Sequence, residues 1–339
     1  MILDDVEQLL HERIGLDAGT VGVSGLNFAL KQRMAACAVT DPATYWRRLT
    51  ATSQELQELI NAVIVPETWF FRDPKAFSAM TGRVLEMRAP GGAAIGRALR
   101  LLSLPCSTGE EPYSLAMALF DAGLGASDFA VDAVDISTRN LAAAAHALYG
   151  RNSFRGSDVD FRARHFNAME GGYRPHAEIR RQVRFRHGNL LDPVALDVEP
   201  YDVVFCRNLL IYFDRDTQER ALDRLHRLLA PHGVLVVGSG EGGLPPLRGF
   251  SSLRIPMAFA FARSVASGGG SKPVRPPAGA TPARVPPVRP ALVPRLRAPR
   301  PAGVPHSVAE FRKRHEPLHR SSIGPRRLLA PPFEGGGLG

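Results

Sequence analysis

ALRLLSLPCSTGEEPYSLAMALFDAG, residues 98–123, reads as a strand, a tight turn and a helix. The chain beyond it repeats the alternation. FAVDAVDIS (129–137) is a second strand, NLAAAAHALYG (140–150) a second helix, and VRFRHGNLL (183–191) opens with a third strand. YDVVFCRNLLIYF (201–213) begins with a fourth, continuously apolar strand. DTQERALDRLHRLLAPHG (216–233) is an amphipathic helix with Leu222, Leu225, Leu228 and Leu229 inward, stopped by Pro231 and Gly233. VLVVGSGE (234–241) gives a fifth strand and FAFAR (259–263) a last one. Strands that alternate with helices predict an α/β fold with a parallel, doubly wound, Rossmann-like sheet. Such a sheet binds ligands at the carboxyl ends of its strands.

Two segments stand outside this alternation. HFNAMEGGYRPHAEIRRQVRF (165–185) is too polar for core and holds a Gly-Gly turn, so it predicts a small antiparallel β-subdomain at about 163–186. Residues 1–85 read as an all-α N-terminal domain and linker. VEQLLHERIGL places Val6, Leu9, Leu10 and Ile14 on one helical face, and LNFALKQRMAACAV does the same with Leu26, Leu30, Met34 and Val39. YWRRLTATSQELQELINAVIV predicts a third helix with Leu49, Leu56, Leu59 and Ile60 inward. The sheet domain then spans 86–263.

From 264 to 339 the chain is rich in Pro, Arg, Gly and Ala and holds 15 of the 28 prolines. It carries too little apolar surface to offset its chain entropy, and a disordered tail is predicted. This tail has 13 Lys/Arg against 3 Asp/Glu, leaving 29 basic and 30 acidic residues ahead of it. The net charge of +9 therefore belongs to the tail, and no nucleic-acid-binding core is expected. The acidic, amphipathic N-terminus does not read as a signal peptide, and no run of about 18 apolar residues predicts a membrane span. Cys37, Cys106 and Cys206 lack metal-ligand spacing, so a reduced, cytoplasmic, metal-free protein is expected, and a monomer by default.

The strand ends carry the chemistry. After the first strand, CSTGEEPYS (106–114) has one glycine and two carboxylates where a phosphate-binding turn would have several glycines. Glu110 and Glu111 repel phosphate and suit a cationic ligand, an amine or a sulfonium. Read alone, they are better taken as the acids common in a helix's first turn. Asp135, ending the second strand, fits either a ribose diol or a helix cap. Asn189 and Leu190 after the third strand can bracket an adenine. Arg207, Asn208 and Tyr212 place three polar groups after the apolar fourth strand. Together these ends form a crevice for an adenosine with a charged amino-acid end, which is S-adenosylmethionine. Upstream, VPETWFFRDPKAF (65–77) sets Arg72 on an aromatic platform; part of Trp69, Phe70 and Phe71 is expected to be packing.

ETWFFRD, CSTGEEPYSLA, VDIS, GNLLD and FCRNLLIYFD, in this order, closely resemble the motifs of the CheR-type chemoreceptor glutamate O-methyltransferases over about residues 5–263. The resemblance implies a class I S-adenosylmethionine-dependent methyltransferase domain behind a helical N-terminal domain, with a small β-subdomain. It implies cofactor contacts at Thr68, Arg72, Glu111, Asp135, Asn189, Leu190, Arg207 and Asn208, with Glu110 a contender for the amino group and Asp135 on the ribose. Arg72 and Tyr212 would flank the reacting methyl. The implied partner is the cytoplasmic helical region of a chemoreceptor, with recruitment to receptor arrays, and the implied products are glutamate methyl esters and S-adenosylhomocysteine. Pro66 stands where the chemotaxis enzymes often have asparagine. VPETWFFRD looks more like members serving chemosensory-type systems outside flagellar chemotaxis, some of which carry helical repeats where this chain has its proline-rich tail. A different methyl acceptor, or a scaffold that binds the cofactor without turnover, shares the cofactor residues.

Overall fold

The structure, a computed structural model, describes residues 2–155, 160–192 and 199–264. The predicted tail therefore falls outside the described residues from Val265 onward. The chain opens with helices α1 (Ile2–Ile14), α2 (Ala18–Val21), α3 (Val23–Ala36), α4 (Pro42–Ala51) and α5 (Ser53–Val63). Val6, Leu10, Leu26, Leu30, Tyr45, Leu49, Leu59 and Ile60 make their shared core. The stretch read as one third helix is two, α4 and α5. Thr52 breaks it by taking an extended backbone and accepting a hydrogen bond from Glu55 N, which starts α5 afresh. Glu55 itself is buried, and its carboxylate accepts from Arg33, the Cys37 thiol and the Tyr45 hydroxyl.

Helix α6 (Pro74–Arg88) belongs to the sheet and not to this bundle. Its Phe77, Met80, Val84 and Met87 share a core with β1 (Leu99–Ser103) and α7 (Glu110–Asp121). Residues 64–73 link α5 to α6 without helix or strand. Then come β2 (Phe129–Asp135), α8 (Thr138–His146), α9 (Asp160–His165), β3 (Phe166–Met169), β4 (Gly172–Pro175), α10 (Ala177–Arg181), β5 (Val183–His187), β6 (Tyr201–Cys206), α11 (Arg215–Leu228), β7 (Leu229–Val237), β8 (Phe250–Ser252) and β9 (Ala260–Arg263).

The large sheet runs β5-β2-β1-β6-β7-β9-β8, the first five strands parallel and the last two antiparallel. Both faces of the parallel strands are covered, which is why they read as unbroken apolar runs. Leu101, Val131, Ala133, Val203, Phe205, Val234 and Val236 point into the core under α6 and α7. Their neighbours Leu102, Val134, Val204, Leu235 and Val237 point into the core under α11. The chain order reverses between β1 and β6, and the strand ends open a crevice there, as doubly wound sheets require.

Two departures from the sequence reading concern short strands. β8 has three residues and no alternation long enough to see. The antiparallel excursion is only the β3–β4 hairpin, because Val183 onward already pairs with β2 in the large sheet. The hairpin is pinned by reciprocal main-chain bonds of Tyr149 and Tyr173, both 2.9 Å. Gly172 is needed at that contact, since a Cβ there would lie 2.4 Å from the Tyr149 carbonyl oxygen.

Candidate active site

The aromatic linker shapes one wall of the site. Phe70 is buried against Tyr149, Phe154 and Phe166, with ring centroids 4.8, 5.2 and 4.9 Å away. Phe71 packs on Phe77 and Phe161. Main-chain bonds lock the segment: Phe70 N donates to Ser153 O at 2.9 Å, and Phe71 N to the Ser114 hydroxyl at 3.0 Å. Phe71 and Asp73 both hold left-handed backbones, with φ of 53° and 60°. Side chains with a Cβ adopt these only where packing overdetermines them. The result turns Trp69 and Arg72 away from the aromatic core and into a cavity wall. The guanidinium of Arg72 lies 4.6 Å from the Trp69 ring centroid and donates to Glu67 O at 2.8 Å.

That cavity, about 490 Å³, lies at the carboxyl ends of the parallel strands. It brings together Thr68, Arg72, Glu111, Asp135, Asn189, Leu190, Arg207, Asn208 and Tyr212, the full set drawn from the sequence. Glu110 does not line it. Its carboxylate turns the other way, to the hydroxyls of Thr108 (2.7 Å) and Ser153 (2.8 Å). Gly109, at φ 96°, makes the turn into α7 just ahead of the two acids, and a Cβ there would meet the Tyr149 hydroxyl at 2.7 Å.

Glu111 accepts from Ser103 Oγ at 2.8 Å and from Arg207 Nη1 at 2.9 Å. Burial pushes its carboxyl above the ordinary value, and the Arg207 charge works against that rise. Arg207 also donates to Asp73. One guanidinium thus serves two carboxylates, and the cluster keeps an excess negative charge that suits a cation. Asp135 accepts from Ser107 N and Ser137 N, both at 2.8 Å, so it joins two strand-end loops. It is not the helix cap weighed from the sequence: Ser137 caps α8. Burial lifts the Asp135 carboxyl too.

Three features escaped the sequence. Glu241, read as part of the fifth strand, is fully buried beyond its end at Val237. Its carboxylate accepts from the main-chain amides of Gly238 (2.6 Å), Asn208 (2.9 Å), Leu209 (2.8 Å) and Leu210 (2.7 Å). This holds the 207–212 loop over the cavity. An acid in a Gly-rich segment right after a strand was the available signal. The second is Asp73, bound to Arg207. The third is the N-terminal region: Asp17 N and Thr20 Oγ1 both donate to Tyr212 O, at 2.8 and 3.4 Å, while Asn189 Nδ2 donates to Arg13 O at 3.0 Å. The α1–α2 connection thereby walls the crevice with Ile14, Leu16 and Thr20.

A cofactor fits this lining on two orphaned atoms. Arg207 Nε and Ser107 Oγ are buried and without hydrogen-bond partners among the described residues, in residues that both line the cavity. Buried polar atoms left unpaired are costly, and a polar ligand would satisfy them. Residues 66–245 match the family model described as CheR methyltransferase, SAM binding domain. The chain belongs to the CheR methyltransferase family. Its large sheet is thus that of a class I S-adenosylmethionine-dependent methyltransferase, and S-adenosylmethionine is the cofactor the crevice takes.

Relatives within and around this family agree. The chain is 49% identical over 280 residues to a probable biofilm formation methyltransferase, WspC, of Pseudomonas aeruginosa, covering 82% of this chain and 66% of that protein. It is 52% identical over 257 residues to the protein of the same name in Pseudomonas putida, covering 76% and 60%. The chain thus spans less than two thirds of the length of these two relatives. It is 32% identical over 266 residues to a chemotaxis protein methyltransferase of Salmonella typhimurium, covering 76% of this chain and 89% of that one.

Proposed function

We propose that this CheR-family protein methylates glutamate side chains on the cytoplasmic helical region of a chemoreceptor-type signalling protein. The observation that carries the reading is Arg72, a guanidinium held on Trp69 in the wall of a cofactor cavity. When bound, S-adenosylmethionine supplies a methyl group already activated on a sulfonium, and its transfer leaves a glutamate γ-methyl ester and S-adenosylhomocysteine. A glutamate carboxylate is ionised near pH 7, so the acceptor arrives as a nucleophile and needs no base. The lining residues match that chemistry: among those described there is no histidine or lysine, and Glu111 and Asp135 are already engaged.

The work left to the protein is positioning and charge placement. Arg72 fixes the incoming carboxylate through a bidentate contact. Tyr212, half-exposed at the cavity, orients the sulfonium end by its ring or hydroxyl. Its main chain is set by Asp17 and Thr20, and the loop before it by Glu241. Glu111 takes the cofactor's amino group, Asp135 the ribose, and Asn189 with Leu190 the adenine, with Thr68, Arg207 and Asn208 completing the contacts. The bundle of α1–α5, as far as the linker, forms the N-terminal domain.

The relatives named for biofilm formation favour a chemosensory output outside flagellar chemotaxis. We place the protein in the cytoplasm, recruited to receptor arrays; among the described residues no helix is long and apolar enough to cross a membrane. The test is transfer of a radiolabelled methyl group to purified cytoplasmic fragments of the host's chemoreceptors. Label that is incorporated and then released as methanol by mild alkali is the expected result. Label on no receptor fragment, or label stable to alkali, overturns the reading.

A further inference from the structure

We infer that Arg155 reads a second carboxylate on the acceptor, beside the glutamate that is methylated; this rests on the proposed acceptor chemistry. The Trp69 ring carries two guanidiniums, that of Arg72 at 4.6 Å and that of Arg155 at 5.2 Å from its centroid. Trp69 and Arg72 line the cofactor cavity, whereas Arg155 is exposed outside it. Neither arginine has an ion-pair partner among the described residues, although Arg207, nearby, has two.

Arg155 is anchored at its base. Its Nε donates to Asn152 O at 3.1 Å, and its two terminal nitrogens have no hydrogen-bond partner among the described residues. Its neighbour Phe154 stacks on Phe70 at 5.2 Å, and Ser153 O holds Phe70 N, so segment 151–155 is packed on the linker that carries Arg72. The indole face offsets part of the repulsion between the two cations, but an anion for each is the arrangement that relieves it. The two guanidinium carbons lie no farther apart than their two ring distances taken together, about 10 Å. Carboxylates next to each other on one helix face, with Cβ atoms about 5–6 Å apart, fall within the span of the pair. The substrate class is therefore a helical segment with a second acid within one turn of the acceptor glutamate.

Successive methylation would feel this second contact. Arg72 loses its partner when the acceptor becomes a neutral ester, while Arg155 keeps its own. A neighbour that is already esterified or amidated gives Arg155 nothing to bind, and such an acceptor is methylated more slowly.

The experiment uses the full chain and two versions of one host chemoreceptor cytoplasmic fragment, with Glu or Gln one turn from the acceptor glutamate. Wild type is expected to prefer the Glu version by about fivefold in kcat/KM, the scale of one exposed charge pair, expressed mainly in KM and weakened by salt. Arg155→Gln removes that preference, Arg155→Lys keeps part of it, and both bind S-adenosylmethionine calorimetrically as wild type does. A wild type that methylates both fragments equally overturns this inference alone. So does an Arg155→Gln variant that slows both equally, since Arg155 then acts only by packing on Trp69. A wild type that methylates neither overturns the glutamate reading and this inference with it.

Discussion

The crevice floor and the linker wall face the same cavity but are made in opposite ways. On the floor, Glu111, Asp135 and Glu241 sit buried at strand ends, and each carboxylate is held by two or more donors. On the wall, Arg72 lies on Trp69 in a segment with two left-handed residues, and Arg155 lies on the same indole from outside the cavity. The floor is fixed because its polar groups already spend their hydrogen bonds on the protein. The wall keeps its charge open to what arrives from outside. On the proposed function, the difference separates the durable task, holding a cofactor of constant shape, from the variable one, meeting a macromolecular acceptor.

The largest break in that contrast is expected from Glu241→Ala. It leaves at least four amides, two of them buried and two part-buried, without an acceptor and frees the loop that carries Arg207, Asn208 and Tyr212. A loss of about 3 kcal/mol in stability and about 10 °C in Tm is expected, with cofactor affinity lost as well. Thermal unfolding with and without S-adenosylhomocysteine measures both. A variant as stable as wild type that binds normally shows that the loop holds its shape without the clamp.

Next comes the wall. Arg72→Ala is expected to lower turnover on a receptor fragment by about 100-fold, in the range seen when one transition-state donor is removed. Cofactor affinity should fall by much less, about threefold, the worth of one exposed contact. Equal losses in the two measurements would move Arg72 from the acceptor side to the cofactor side.

The floor then responds to pH. Burial holds the Glu111 carboxyl above its ordinary value. In the free protein a raised carboxyl contributes stability that is present below its unfolded value and lost as pH rises through the folded one. On the role proposed for Glu111, cofactor binding runs the other way, because the amino group needs the ionised carboxylate. Affinity should therefore fall as the pH drops through the raised value, starting above the ordinary carboxylate range. Glu111→Gln should cost about tenfold in affinity near neutral pH, the size of one charge-assisted hydrogen bond, and flatten the profile. Calorimetric titrations of wild type and variant from acid to neutral pH decide it; an unchanged profile in the variant assigns the titration to another group, such as Asp135.

The same contrast explains what can be read from the chain. The floor is legible because strand ends in an alternating α/β pattern must converge, so the Glu110–Glu111 pair, Asp135, Asn189 and Arg207 can be placed in one crevice from the sequence alone. Glu241 is harder to read, because it binds main-chain amides whose meeting depends on tertiary geometry, and an acid in a Gly-rich segment after a strand does not by itself reveal that. The choice between Glu110 and Glu111 likewise turns on the direction of one helix's first turn, set by Gly109 against Tyr149 and Ala144. The split of α4 from α5 is encoded, in Thr52 and Glu55, but the apolar period running through both masks the cap. Arg155 lies far from Trp69 along the chain and meets it only because Phe154 joins the aromatic cluster around Phe70.

The smallest expected effect tests the boundary between floor and wall. Pro66 lines the cavity at the start of the linker, where the resembling chemotaxis enzymes often carry asparagine. Proline brings neither an amide side chain nor a main-chain donor, but it fixes φ and so stiffens the entry to a segment already strained at Phe71 and Asp73. The two consequences oppose each other. Pro66→Asn adds one hydrogen bond to the cofactor, about 1 kcal/mol or fivefold in affinity, and gives back some chain freedom in the unfolded state, which lowers stability by about 0.5 kcal/mol. Tighter cofactor binding with a slightly lower Tm is therefore the expected pair of changes, measured by calorimetry and thermal unfolding on the same preparation. Weaker binding would mean that the stiffness of the linker contributes more to the cofactor site than one added contact does. The wall would then be part of the floor's rigidity and not a separate, adaptable surface.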